Sequence, residues 1–132
     1  MYLTSSEAQK MLQAAQAKAQ QMGVKVSISV VDGRGDLLTM VRLDGASWRT
    51  AGISKGKAYA SANFGVPSAE LTARANSPVM QAFMLSQRGD MVPAQGAVPV
   101  LRNGAVLGAI GVSGAKSEED EEIAKAGVAA LK

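Results

Sequence analysis

Apolar positions recur at helical spacing from the start of the chain. After the Thr4-x-x-Glu7 capping box, Ala8, Met11, Leu12, Ala15, Ala19 and Met22 fall on one face, and Gly23 stops the helix. The period then changes to two. SISVVD (27–32) reads as a strand, Gly33-Arg34-Gly35-Asp36 as a turn, and LLTMVRLDG (37–45) as the returning strand. Residues 48–63 return to a helical pattern with unusually small side chains, among them Ala51, Gly52, Ser54, Gly56, Ala58 and Ala60. Pro67-Ser68 starts a shorter helix, and Ser77-Pro78 starts another over 79–88 that ends at Gly89. A glycine- and proline-bearing segment, 89–99, leads to a second hairpin. There Asn103-Gly104 lies between the apolar runs VPVLR and AVLGAIGV. Ser117 then caps a last helix. Helix, hairpin, helices, hairpin, helix predicts an α+β domain: an antiparallel sheet covered by helices.

The second hairpin carries Gly108, Gly111 and Gly114, which invite a dinucleotide reading. The spacing is G-x-x-G-x-x-G rather than G-x-G-x-x-G, and no Gly-Lys-Ser/Thr follows. The next helix opens on Glu118, Glu119, Asp120, Glu121 and Glu122. These carboxylates suit the helix dipole but repel a phosphate from the same place. Gly108 and Gly111 are therefore read as strand glycines, marking a bulge or the close approach of another backbone or a ligand.

Composition narrows the chemistry. At 132 residues the chain is a single domain, 1–132, with room for a core. It has no Cys and no His, which removes disulfides, thiolate sites and the commonest general base and metal ligand. The net charge of +3 conceals the acidic run at 118–122 against a basic remainder. With two Phe, two Tyr, one Trp and no basic run, nucleic acid is not an expected partner. No stretch looks like a signal peptide or a membrane span, so a cytoplasmic protein is expected.

The order VVDGRGDLL, RLDGA, a helix carrying KA, VP, NG, LGAIGVSGA and a final EDEEIAKAG resembles the GlcG/HbpS-like family over about Leu3 to Leu131. That family includes proteins encoded near glycolate-oxidation genes, extracellular haem binders, and the C-terminal domain of PduO-type corrinoid adenosyltransferases. The resemblance implies a profilin-like fold: a five-stranded antiparallel sheet flanked by helices, its fifth strand near 91–96, assembled as dimers or larger homo-oligomers. The small-residue helix at 51–62 permits the close backbone approach such assembly uses. Haem is the cofactor the resemblance brings, held in relatives through histidine. This chain has none, so no cofactor is evident from its residues. Met80, Met84 and Met91 are the thioethers that remain, and Tyr59 the phenolate. Met80 and Met84, four apart beside Phe83, read as core packing.

The charged residues offer a site. Arg42 and Asp44, two apart in the predicted strand, leave one face together. Trp48, Arg49, Lys55 and Lys57 follow in the next helix, where Lys57 matches the KA of the family pattern. Arg and Lys converging near a Trp suit a carboxylate, an enolate or a tetrapyrrole propionate. Glu121 or Asp120 is the candidate partner carboxylate for Lys57. The candidate ligand-binding set is Arg42, Asp44, Trp48, Lys57 and Glu121, with no catalytic residue assigned. Against it stands a structural reading in which Arg42 and Asp44 pair and the lysines face water. Asp32 is read as capping its turn. Ser113 is no nucleophile elbow, since G-x-S-G departs from G-x-S-x-G and no His activates it. Two functions remain open: a binding module for a small anionic or tetrapyrrole-like ligand, and a cofactor-free lyase or isomerase acting on a small organic acid.

Overall fold

A computed structural model describes all residues, 1–132, and both hairpins form where the alternation places them. Helix α1 spans Ser5–Met22, strand β1 Ser27–Asp32 and β2 Leu37–Arg42. Helix α2 covers Arg49–Phe64, α3 Ala69–Thr72 and α4 Pro78–Ser86. Strand β3 runs Ala97–Arg102, β4 Ala105–Ser113, and α5 closes the chain at Ser117–Ala129. The strands pair antiparallel in the order β2-β1-β4-β3. Helices α1 and α5 pack on one face of this sheet and α2 on the other.

Local signals act as their chemistry requires. The Thr4 hydroxyl accepts the Glu7 N–H at 3.1 Å, and the Glu7 carboxylate accepts the Thr4 N–H at 2.9 Å, which closes the capping box. One Asp32 carboxylate oxygen accepts the N–H groups of Arg34, Gly35 and Asp36 at 2.9, 3.1 and 3.1 Å. Asp32 is thus the turn cap. Asn103 and Gly104 both take positive φ, 53° and 81°, as a tight hairpin turn demands.

Three expectations need correction. The sheet has four strands, not five. Residues 91–96 run over α2 instead, with the Val92 N–H donating to the Gly56 carbonyl at 3.1 Å, and Pro93 supplies no N–H for a ladder. Strand β2 stops at Arg42, not at residue 45. Ala46 N–H bonds back to the Leu43 carbonyl at 3.0 Å, and Gly45 turns the chain with φ 87°. At the last helix the cap position falls on Lys116 rather than Ser117, with the Glu119 carboxylate accepting the Lys116 N–H at 3.1 Å.

The sheet's two faces differ in kind. Towards α1 and α5, Ile28, Val30, Val98, Val100, Ile110 and Val112 join Met11, Leu12 and Ile123 in a cluster of 16 buried residues. Each large side chain fully buried there contributes about 1.5–3 kcal/mol. Towards α2 the strands present Ser27, Ser29, Val31, Ala109, Gly111 and Ser113. Gly111 lets the helix backbone come close. A Cβ there would lie 2.7 Å from the Ala58 nitrogen and closer still to the Ser54 carbonyl. Much of the small-residue face of α2 is therefore used inside the chain, while Gly52 stays exposed. Ala58 and Ala62 meet the sheet, and Ala60 meets Leu71, Met80 and Met91.

Candidate functional site

Thr50, Ser54 and Lys57 recur at helical spacing along the buried face of α2. Opposite them, the period of two in β1 turns Ser27 and Ser29 towards the helix. Two hydroxyl pairs result, Ser27 with Thr50 and Ser29 with Ser54, each at 2.7 Å. Their direction follows from proton counting. The Thr50 proton goes to the Ser47 carbonyl and the Ser54 proton to the Ala51 carbonyl, at 2.7 and 2.8 Å. Each hydroxyl has one proton, so Ser27 and Ser29 donate.

Lys57 continues this line of polar groups. Its Nζ donates to the Val112 carbonyl at 2.9 Å and to Asp120 Oδ2 at 3.2 Å. Asp120 Oδ1 accepts the Ala115 N–H at 3.0 Å. The two side chains are 6% and 3% exposed, so the ion pair is buried. Room for the lysine comes from Gly96, where a Cβ would sit 2.7 Å from Nζ. Burial pushes the Asp120 carboxyl above its ordinary pKa, and the Lys57 charge and the Ala115 N–H only partly offset this. The pair links α2 on one side of the sheet to α5 on the other. Neither residue lines any of the surface grooves.

The structure does not bring the five candidate residues together. Lys57 takes Asp120 as its carboxylate, not Glu121, the one placed in the candidate set. Glu121, one residue on, meets Lys125 and Gln95, both at 3.4 Å. Arg42 and Asp44 are exposed and form no ion pair. They line a hollow of about 290 Å³ with Gln16, Gln20 and Lys25. Asp44 lies past the strand, so the shared strand face expected for the two does not exist. Trp48 is 74% exposed at the start of α2, with the Arg49 guanidinium 6.0 Å from its ring centroid. Lys55 is exposed, as its separation from Lys57 requires.

Two features escaped the sequence reading. The hydroxyl pairs had a signal: Ser27 and Ser29 alternate, Thr50 and Ser54 lie four apart, and both pairs face inward. The second feature is a groove of about 550 Å³ at Phe64, Arg74 and Phe83. Its walls come from segments that no periodicity connects.

A family model described as "Haem degrading protein HbpS-like" matches residues 3–129. A 15.0 kDa protein of the dhaT-dhaS intergenic region of Citrobacter freundii is 37% identical over 124 residues, covering 93% of this chain and 87% of its own. The crystal structure of a double mutant of Streptomyces reticuli HbpS superposes with TM-score 0.88 at 34% identity, over 100% of this chain and 88% of that one. The structure of a PduOC–haem complex gives TM-score 0.87 at 26% identity, over 98% and 95%.

Proposed function

Because the chain belongs to the HbpS-like family, we propose that it is a binding module for a small anionic or tetrapyrrole-like ligand in a bacterial catabolic or sensing pathway. The observation that carries this reading is the likeness to PduOC, solved with haem, along 98% of the chain. The internal chemistry points the same way. The one buried lysine is held by Val112 and Asp120 and opens to no groove, so it is badly placed as a base for a substrate. The lyase or isomerase alternative needs that access.

Haem itself fits this chain poorly as an iron-ligated cofactor. Met80 and Met91 are buried with Ala60 and Leu71, and Met84 packs against the same cluster. The Tyr59 hydroxyl donates to Gln87 Oε1. The thioethers are committed to packing and the phenol to a hydrogen bond, and no histidine exists. Assembly as a dimer or larger homo-oligomer belongs to the same reading, with the family as its support.

Haemin titration tests the proposal. Weak binding without the sharp Soret shift of a histidine-ligated iron is expected. A tight stoichiometric complex with a defined axial-ligand spectrum would contradict the fit argued above. Proton exchange into small organic acids, followed by NMR in heavy water, addresses the alternative. Cofactor-free exchange at catalytic rates would replace the binding reading with the enzymatic one.

A further inference from the structure

Where the C-terminal end of α2 meets the start of α4, Phe64 and Phe83 stand edge to face, centroids 5.9 Å apart and planes at 88°. With Met80 and Val79 they line the groove of about 550 Å³. That is within the size range of small-molecule sites, which are apolar walls with a few polar groups. Val79 is 78% exposed and Phe64 37%. Apolar side chains gathered around one concavity are the lining a small-ligand groove uses.

The groove has one charge. The Arg74 guanidinium lies 6.0 Å from the Phe64 ring centroid and has no carboxylate within ion-pair distance. No acidic residue lines the groove; Asn63 and Ser77 are its other polar members. An unpaired arginine beside two aromatic rings calls for a ligand that is flat, apolar and anionic at one edge. The remaining grooves lack the combination. The hollow at Arg42 mixes charges of both signs. The one beside Lys125 and Lys132 also has Glu70 and no aromatic wall. The one at Gly114 is lined by no ring either.

We propose that the Phe64–Phe83–Arg74 groove binds a planar aromatic carboxylate, its plane on the face of one phenylalanine and against the edge of the other, its carboxylate on Arg74, without regard to a metal in the ring. This rests on the small-ligand reading above and gives it a place and a ligand class. Indifference to metal follows from the lining. Met80 is its only sulfur, and that side chain is 6% exposed, packed with Ala60, Leu71 and Met91.

Metal-free protoporphyrin IX and haemin, titrated by absorbance and fluorescence, are the probes. Both should bind the unaltered protein with Kd values within about threefold of each other. Val79→Glu changes an exposed residue, so the melt should hold while both affinities fall at least about tenfold. Arg74→Gln should weaken the free acid about tenfold and leave the porphyrin dimethyl ester unchanged. Met80→Leu should not alter the haemin spectrum. Porphyrin binding that survives both Val79→Glu and Arg74→Gln overturns the groove while the small-ligand reading stands. Failure of the unaltered protein to bind either porphyrin sinks the ligand class before any variant is made. A changed oligomeric size in Val79→Glu with unchanged porphyrin binding would make the groove an interface between copies. Much tighter haemin binding, lost in Met80→Leu, would overturn metal indifference.

Discussion

Ile110 and Gly111 are neighbours on β4 that meet opposite environments. Ile110 enters the apolar cluster with α1 and α5, whereas Gly111 lies against the α2 backbone. The first face is stabilised by apolar area, which is tolerant of direction and sensitive to volume. The second is stabilised by close approach, two hydroxyl pairs and a buried ion pair, which depend on partners and distances. The face with less apolar area should therefore be the less forgiving one.

The largest test is Lys57→Met. It leaves the Asp120 carboxylate buried without its cation and should cost about 3–5 kcal/mol in urea denaturation. Lys57→Met combined with Asp120→Leu should recover most of that loss, because a buried pair replaced by apolar groups is often neutral. A double variant as unstable as the single one would show that the lysine acts through packing. Lys57→Ala, which would separate binding from folding if the residue were a solvated anchor, cannot do so for a buried one.

The same pair sets a pH dependence. The Asp120 carboxyl has its pKa raised on folding, chiefly by burial. Its contribution is present below the unfolded-state value and is lost as pH rises through the folded-state value. Lys57→Met removes the main opposing charge, so the carboxyl shifts further up. The stability deficit of that variant should shrink on acidification from neutral pH towards the ordinary aspartate range. A deficit that stays constant on acidification would mean Asp120 remains charged in the fold.

Smaller changes sharpen the contrast. Adding one carbon at Gly111→Ala forces the helix off the strand and should cost about 1–3 kcal/mol. Ser54→Ala strands the buried Ser29 donor and should cost about 1–3 kcal/mol. Ser29→Ala strands only an acceptor lone pair and should cost less, about 0.5–1.5 kcal/mol. A larger loss from Ser29→Ala than from Ser54→Ala would reverse the assigned proton direction. Ile110→Val, one carbon removed on the apolar face, should cost about 0.5–1.5 kcal/mol by thermal melt.

Much of the fold was legible because its signals are short-ranged. Thr4 reads Glu7, Asp32 reads its own turn, and Asn103-Gly104 forces a hairpin through φ. The profile of α1 places Ala8, Met11, Leu12, Ala15 and Ala19 inside, as its spacing requires. The candidate site was only half legible. Lys57 stood out, but Arg42 and Trp48, near it in order, lie on the exposed surface. The fifth strand failed at Pro93, where the segment bonds to α2 rather than to an edge.

Taken alone, the chain's periods and turn residues determined the element order, the antiparallel hairpins and which side chains share a face. Those features depend on neighbours a few residues apart, whose geometry backbone sterics set. The tertiary structure decided what each face meets. It seats Lys57 beside Asp120, 63 residues away, turns Ser27 and Ser29 onto α2, and joins Phe64, Arg74 and Phe83 in one groove. The energy of such contacts resides in complementary surfaces from distant segments, and no local pattern encodes which surface will be opposite.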